Sequence, residues 1–357
     1  MQIKNHILRI LNNRNFVVLI CLFLIAVIAI IVKVKVLYLW DNNTKTQDIY
    51  YSWLEGKRIL VGENPYARIL AGNMRDNNKY ATYFPLFYWL SALTQLLGFK
   101  EYSVWISIWQ PIFLMFDIGI AGLIFYQFSQ QKLLIFGFFT ASFWLFNRWT
   151  LYVNSVAHLD FIPIFFLILS LMMFQKNKYT SFILFGLSLS FKQIAIFILP
   201  IYLIWAWQSS ESNKLKNTLI AILLILSIPA ITSLPFILWN AEGFFRSILF
   251  SATRKPDLGH ISAASLDALI GLKIPYFIGI IAKLPMFFLM ILVYLSAIKR
   301  QIDIYTSVLL AMSVFVDFNS VLFLQYFCWI VPFIPLAILE MIATNRKNNK
   351  LKEVIRS

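Results

Sequence analysis

Long apolar segments recur along the whole chain and decide the solvent in which it can fold. A helix needs roughly 20 apolar residues to cross a bilayer, and fewer where it faces a cavity. Ten segments qualify, five of them long: 16–38, 104–127, 217–239, 275–298 and 319–341. The shorter ones are 132–148, 159–175, 179–191, 193–207 and 304–316. Because 60% of the 357 residues are hydrophobic, more than a soluble domain could enclose, we expect an all-α integral membrane protein.

Basic residues lie mainly at the ends of these segments. A formal charge of +15 would suggest nucleic acid in a soluble protein, but at helix ends lysine and arginine act as orientation signals. They predict cytoplasmic N- and C-termini, an even number of crossings and no nucleic-acid partner. The same rule makes four turns cytoplasmic, which carry Lys132, Lys176 with Lys178, Lys214 with Lys216, and Lys299 with Arg300.

Two of the apolar segments differ from ordinary crossings in position or length. The first, 16–38, is too long for a signal-peptide core and lacks a small-residue cleavage site, so we expect a retained helix. The aromatic-rich segment 83–97 is short and opens at a proline, and counting it as a crossing would move several lysine turns outside. We therefore expect a juxtamembrane or re-entrant helix at the outer interface.

These expectations describe one polytopic domain over residues 1–357, a bundle of about ten to eleven transmembrane helices. Its outer face would consist mainly of loops at about 41–103 and 240–274, and function is expected there. The two cysteines, Cys21 and Cys328, lie inside apolar segments, so they indicate neither a disulfide framework nor a cysteine-based metal site.

The first outer loop carries an acid among aromatic residues, in Asp48-Ile-Tyr-Tyr51. A carboxylate held just above the membrane, where aromatic side chains restrict water, can act as a general base. A solvated loop acid would show the same spacing, so these residues alone leave both interpretations open.

Further polar residues follow where later apolar segments begin or end: Asn154, His158, Asp160, Lys192 and Gln193. Charged side chains at helix mouths usually line a polar cavity. A headgroup-directed Lys192 and a helix-capping His158 are the structural alternatives. Asp117 lies inside 104–127, where an acid must be protonated, paired or facing a cavity, and we expect a structural hydrogen bond there.

The second outer loop is basic, against the trend of the rest of the chain. It contains Arg246, Arg254, Lys255, Asp257 and His260. Cations beside a low-dielectric surface bind anions strongly, which indicates a phosphate or diphosphate headgroup. Ordinary contact with anionic lipid is the alternative.

Taken in chain order, these motifs resemble the GT-C superfamily of glycosyltransferases. The early acid is followed by Gly62-Glu-Asn-Pro-Tyr66, Tyr83-Phe-Pro-Leu-Phe-Tyr88, His158-Leu-Asp160, Phe191-Lys-Gln193 and Gln325-Tyr-Phe-Cys-Trp329-Ile-Val-Pro332. The likeness is greatest to GPI-mannosyltransferases, to enzymes of lipid-linked oligosaccharides, and to bacterial mannosyl- and arabinofuranosyltransferases.

The resemblance implies inverting transfer of one sugar from a polyprenyl-phosphate donor to a lipid, glycan or protein acceptor, on the extracytoplasmic face of the plasma membrane. It implies Asp48 as the catalytic base. Lys192, Arg254 and His260 would neutralise the leaving phosphate, and His158 with Asp160 would line the sugar pocket. The other expected substrate-binding residues are Tyr51, Tyr83, Gln193 and Lys255.

Three departures qualify the resemblance. Many relatives carry paired acids in the first loop, whereas Asp41 and Asp48 are seven apart, so no cofactor is assigned and a divalent cation is left open. A single Pro85 replaces a double proline. Without an appended soluble C-terminal domain, single sugars are favoured over preassembled glycans.

Two other functions fit the sequence. A transporter or flippase of lipid-linked sugars would use Asp117 and Lys192 as a polar path, with charges spread along the bundle interior. A non-catalytic assembly subunit would use the outer loops only to bind a partner.

Overall fold

The computed structural model describes residues 14–39, 44–72, 80–209, 212–253, 265–274, 276–277, 280–319 and 322–356. In order, the α-helices are α1 Arg14–Leu39, α2 Asp48–Leu60, α3 Leu86–Leu96, α4 Tyr102–Gln130, α5 Leu134–Phe146, α6 Arg148–Ser155, α7 Phe161–Met173, α8 Lys178–Phe191, α9 Leu199–Gln208, α10 Lys214–Thr253, α11 Leu266–Lys273, α12 Ile280–Ile298, α13 Ile304–Asp317 and α14 Phe333–Arg356. Short 3-10 helices cover Thr44–Thr46, Pro65–Ala71, Gln193–Ile198 and Leu324–Trp329.

Five described stretches are long and apolar enough to cross a membrane: Phe16–Lys35, Tyr102–Gln130, Lys214–Phe250, Ile281–Ile298 and Leu324–Arg346. They coincide with the five long predicted segments. All five shorter segments also contain helices, α5, α7, α8, α9 and α13. The prediction of an all-α, multi-pass membrane protein is therefore confirmed.

Segment 83–97 forms the short helix α3, whose 11 residues span about 17 Å at roughly 1.5 Å per residue. That is well below the roughly 30 Å of the hydrocarbon core. It packs on α2, where Gln95 donates to the Trp53 carbonyl at 2.8 Å, and Trp53 donates to the Lys100 carbonyl at 3.0 Å. The first outer loop is thus a folded unit of two short helices.

Helix α10 extends past its predicted crossing and bends at Asn240, whose backbone is not helical. The Asn240 side chain accepts a hydrogen bond from the Gly243 amide at 2.8 Å and starts the helix again. The outer part then lies against the first outer loop, because a side chain at Gly243 would stand 2.9 Å from the Tyr66 carbonyl oxygen. The stretch predicted as a loop from 240 therefore begins as helix.

Three of the turns predicted as cytoplasmic, those near Lys132, Lys214 and Lys299, lie together with α14 at one end of the bundle. Arg346 donates to the Gln131 carbonyl at 3.3 Å, and Gln208 donates to the Ile298 carbonyl at 2.9 Å. Thr344 bonds Asp303 at 3.1 Å. At the opposite end, Tyr102 donates to Thr44 at 2.7 Å and joins α4 to the first outer loop.

A buried ion pair joins α1 to α4 inside the bundle. The ammonium of Lys33 contacts the carboxylate of Asp117, and neither side chain is exposed. The carboxylate also accepts from Trp144 at 2.9 Å and from Asn154 at 2.7 Å. Asp117 therefore has the structural role expected for it, with a cationic partner that the sequence had not indicated.

Glycine permits the closest packing between α8 and α10. A methyl group at Gly186 would overlap the Ile225 carbonyl oxygen, whereas a methyl group at Gly122 in α4 would meet only the Leu22 side chain, at 3.8 Å. Replacing glycine by alanine favours the helix by about 1 kcal/mol at both sites. The two substitutions therefore differ only in the steric overlap that the new methyl group makes.

We expect Gly186→Ala to lower the free energy of unfolding by about 1–3 kcal/mol, since overpacking forces the two backbones apart. Gly122→Ala is the control and should be neutral or stabilising. Thermal unfolding of both variants in detergent measures the effect, and equal stability of the two would contradict the packing described.

Candidate active site

A buried carboxylate organises the outer mouth of the bundle. Asp160 lies in the turn before α7 and is fully buried. Its Oδ1 accepts from Lys192 Nζ at 2.7 Å and from Trp329 Nε1 at 2.5 Å, while its Oδ2 pairs with His158 Nδ1. These partners come from the end of α8, from the 3-10 helix before α14 and from the same turn. One side chain therefore ties three parts of the chain together.

Charge sets the protonation of Asp160. Burial alone would raise the pKa of this carboxyl, but the nearby Lys192 ammonium and the His158 imidazole outweigh burial and hold the pKa well below its usual range. Asp160 is therefore a carboxylate throughout the physiological pH range.

Asp48 is the outermost member of the same network. Its Oδ2 accepts from the Tyr83 hydroxyl at 3.0 Å and lies 3.1 Å from His158 Nε2. The Asp48 side chain is 31% exposed, against 2% for His158. We call Asp48, His158, Asp160 and Lys192 the charged cluster. Its exposed end is a carboxylate, and its buried end is an ion pair.

The loop at 80–85, which carries Tyr83 and which we call the Tyr83 loop, is held from several sides. Tyr66 donates its hydroxyl to the Tyr83 carbonyl at 2.7 Å, and the Tyr83 amide donates to the Tyr88 hydroxyl at 3.3 Å. Gln193 donates to the Thr82 carbonyl, and Ser247 in α10 donates to the Ala81 carbonyl. Burial raises the pKa of the Tyr66 and Tyr83 hydroxyls, so both remain donors.

Lys192 is not a surface cation. Its side chain is 1% exposed, and its ammonium lies 4.9 Å from the ring centre of Tyr83 and 5.8 Å from that of Tyr326. Cation–π contacts of this kind add to the ion pair with Asp160. The ammonium therefore stabilises the cluster from within, whereas the resemblance implied a contact of Lys192 with the leaving phosphate.

The remaining predicted residues fall in two groups. Gln193 lies beside Lys192 and bonds the Tyr83 loop, and Tyr51 lies in the first turn of α2 with its ring 5.7 Å from that of Tyr50. Arg254, Lys255 and His260 lie outside the described residues, as does Asp41.

Several partners could not be singled out in advance. Trp329 and Gln325 occur in a motif of the resemblance, but nothing in the sequence indicates that Trp329 bonds Asp160 or that Gln325 lies 3.3 Å from His158 Nε2. Tyr66 and Tyr88 likewise occur in aromatic motifs without a sign that they hold Tyr83. Lys33 lies in an apolar helix and had no visible partner.

No metal is assigned to this site. Among the residues that the structure describes, no group of three or more His, Cys, Asp and Glu side chains is arranged to hold a metal ion. In the charged cluster the buried carboxylate of Asp160 already lies against an ammonium, an imidazole and an indole.

Comparison with known proteins decides the family. The family model described as "Mannosyltransferase (PIG-M)" matches residues 153–351, more than half of the chain. The chain belongs to this mannosyltransferase family. The match includes His158, Asp160, Lys192 and Trp329, whereas Asp48 precedes it. The resemblance to GPI-mannosyltransferase-like members of the GT-C superfamily is confirmed, and the protein is a membrane glycosyltransferase.

Two relatives extend the likeness to the N-terminal part. GPI mannosyltransferase 1 of Candida albicans is 26% identical over 304 residues, which cover 78% of this chain and 71% of that protein. GPI mannosyltransferase 1 of Kluyveromyces lactis is 26% identical over 297 residues, covering 80% of this chain and 70% of the relative. Both comparisons reach well beyond the 199 residues from 153 to 351 that match the family model.

The hydrogen bond from the Tyr66 hydroxyl to the Tyr83 carbonyl can be tested by substitution of Tyr66. Tyr66→Phe leaves the Tyr83 carbonyl without its donor and should cost about 1–3 kcal/mol of stability. We also expect turnover in glycosyl transfer to fall by roughly 10-fold, because small displacements at a reacting site are costly.

Tyr305→Phe is the matched control, since the Tyr305 hydroxyl accepts from Gln127 at 2.9 Å at the opposite end of the bundle, near the bond between Asp303 and Thr344. It should lose similar stability and keep its turnover. Equal turnover of both variants would show that the Tyr66 bond does not position the site.

Proposed function

We propose that this protein transfers one mannose from a polyprenyl-phosphate donor to a membrane-anchored glycan acceptor, with inversion at the sugar. Membership in a mannosyltransferase family supports the sugar, and the relatives named GPI mannosyltransferase 1 favour a GPI-type acceptor. The observation that carries the chemistry is the partly exposed Asp48 carboxylate bonded to Tyr83 and facing His158.

In the proposed step the hydroxyl oxygen of the acceptor attacks the anomeric carbon of the donor. At the same time the Asp48 carboxylate takes the proton of that hydroxyl. The bond from that carbon to the phosphate oxygen breaks, and the electron pair leaves with the polyprenyl phosphate. Asp48 becomes a neutral acid, and the new glycosidic bond has the opposite configuration.

Charge balance supports this role. With His158 protonated, the charged cluster holds two cations and two carboxylates and has no net charge. When Asp48 accepts a proton, the cluster becomes positive by one charge as the leaving phosphate gains one negative charge. A positive charge appearing at that moment in a site of low dielectric favours the transition state.

The leaving phosphate needs cations of its own, because Lys192 is buried against Asp160. We assign this role to Arg254, Lys255 and His260, which the sequence places in the second outer loop. The outer part of α10, which runs into this loop, bonds the Tyr83 loop through Ser247. Tyr51, Gln193 and Tyr83 complete the proposed substrate contacts.

The orientation proposed places this site outside the cytoplasm. The charged cluster lies at the opposite end of the bundle from the lysine turns, which the positive-inside rule assigns to the cytoplasm together with both termini. The domain would comprise residues 1–357 and lie in the plasma membrane. A polyprenyl tail is soluble only in the bilayer, so the donor would enter laterally between helices.

A flippase is less well supported. The two residues proposed for its polar path already have charged partners, since Asp117 pairs with Lys33 and Lys192 pairs with Asp160. Such fully paired groups stabilise helix contacts.

Asp48→Asn tests the proposed base. The amide keeps the shape of the side chain but cannot accept a proton, so turnover with a synthetic polyprenyl-phosphate mannose should fall at least about 100-fold. The apparent affinity for the donor should change little. Glu101→Gln removes an exposed acid at the start of α4 and should leave turnover unchanged. Turnover of Asp48→Asn near that of the wild type would remove Asp48 as the base.

A further inference from the structure

His158 stands between two carboxylates that belong to different parts of the chain. Its Nε2 lies 3.1 Å from Asp48 Oδ2, and its Nδ1 pairs with Asp160 Oδ2. A carboxylate only accepts hydrogen bonds, so the ring bonds both neighbours at once only when each nitrogen carries a proton. The arrangement therefore requires an imidazolium.

The surroundings favour that charge. Burial is the largest effect and disfavours the imidazolium, as does the charge of Lys192, but the Asp160 charge together with the bonds to Asp160 and Asp48 outweighs both. The pKa of His158 consequently lies above its ordinary value of 6.5.

Neutral His158 has a different partner available. Gln325 Nε2 lies 3.3 Å from His158 Nε2, close enough to donate to that nitrogen once it has lost its proton. The same lone pair would then face Asp48 Oδ2, where a carboxylate has no proton to donate. Loss of one proton thus exchanges a bond to Asp48 for a bond to Gln325.

We propose that His158 is a positioning residue whose imidazolium ties Asp48 to the buried Asp160–Lys192 pair, and that this bridge sets the alkaline limit of the transfer reaction. The inference rests on the proposed function through Asp48. Within the described ranges, the charged groups facing His158 are Asp48 from α2, Asp160 from its own turn and Lys192 from the end of α8. Gln325 and the Tyr83 hydroxyl complete its polar surroundings.

The direction of the pH dependence of turnover follows from the raised pKa of His158. Below that pKa His158 is charged and the bridge is present; as the pH rises through it, the bridge is lost, while the bond from Tyr83 to Asp48 remains. Turnover should therefore fall on the alkaline side, while the KM for the donor changes little, because Asp48 acts on the acceptor hydroxyl.

Two variants test the inference in the full-length protein, with synthetic polyprenyl-phosphate mannose as the probe. His158→Gln cannot titrate, so turnover should be reduced by roughly 10-fold and the alkaline fall should disappear. Gln325→Met deprives only the neutral imidazole of its partner. It should keep the fall and move its midpoint upward by about 0.5–1 pH unit.

The outcomes separate the two proposals. Wild-type protein without mannose transfer at any pH would overturn the proposed function itself. Wild-type transfer with no alkaline fall, or with a fall that His158→Gln retains, would overturn only the bridge. If His158→Gln does not fold, as judged by thermal unfolding in detergent, Gln325→Met decides, and an unmoved or lowered midpoint would overturn the bridge.

Discussion

The structure of the outer mouth depends on the burial of one carboxylate. A charge taken out of water must find partners of opposite charge and good geometry, and Asp160 finds an ammonium, an imidazole and an indole at once. Each partner is anchored in a different part of the chain. The requirement to satisfy Asp160 therefore fixes how the end of α8, the turn before α7 and the last crossing meet.

The proposed function depends on the part of this buried centre that is exposed to water. His158 extends the network to Asp48, and the Tyr83 loop, held by Tyr66 and Tyr88, supports the same carboxylate from the other side. Deeper in the bundle, Lys33 and Asp117 form a second ion pair that bonds Asn154, four residues before His158. Rigid supports on both sides hold a single partly exposed acid, which is the arrangement that a catalytic base needs.

Sequence predicts the parts of this protein that depend on lipid as a solvent. Hydropathy alone locates the crossings, because every lipid-facing segment must be apolar and helical. The length and proline of segment 83–97 likewise indicate a helix that does not cross. The bend at Asn240 and the two-part last crossing, a 3-10 helix followed by α14, escape such rules because they depend on local capping and on Pro332 between the parts.

The candidate site could be predicted only as a set of residue types. Asp48, His158, Asp160 and Lys192 are charged residues at helix mouths, yet two of their three pairings join positions 32 and 110 residues apart. Lys33 and Trp329 lie in apolar helices, where neither periodicity nor spacing indicates a polar partner. Pairing of this kind is decided by tertiary packing, which no local pattern encodes.

The coupling between Asp160 and Lys192 tests the central claim most directly. Free energies of unfolding in lipid bicelles should be compared for Asp160→Asn, Lys192→Met and the double variant. Each single change strands a buried group and should cost about 3–5 kcal/mol, while the double variant should cost at least about 2 kcal/mol less than the sum. If the cost of the double variant equals the sum of the two single costs to within about 0.5 kcal/mol, the buried ion pair does not hold the outer mouth together.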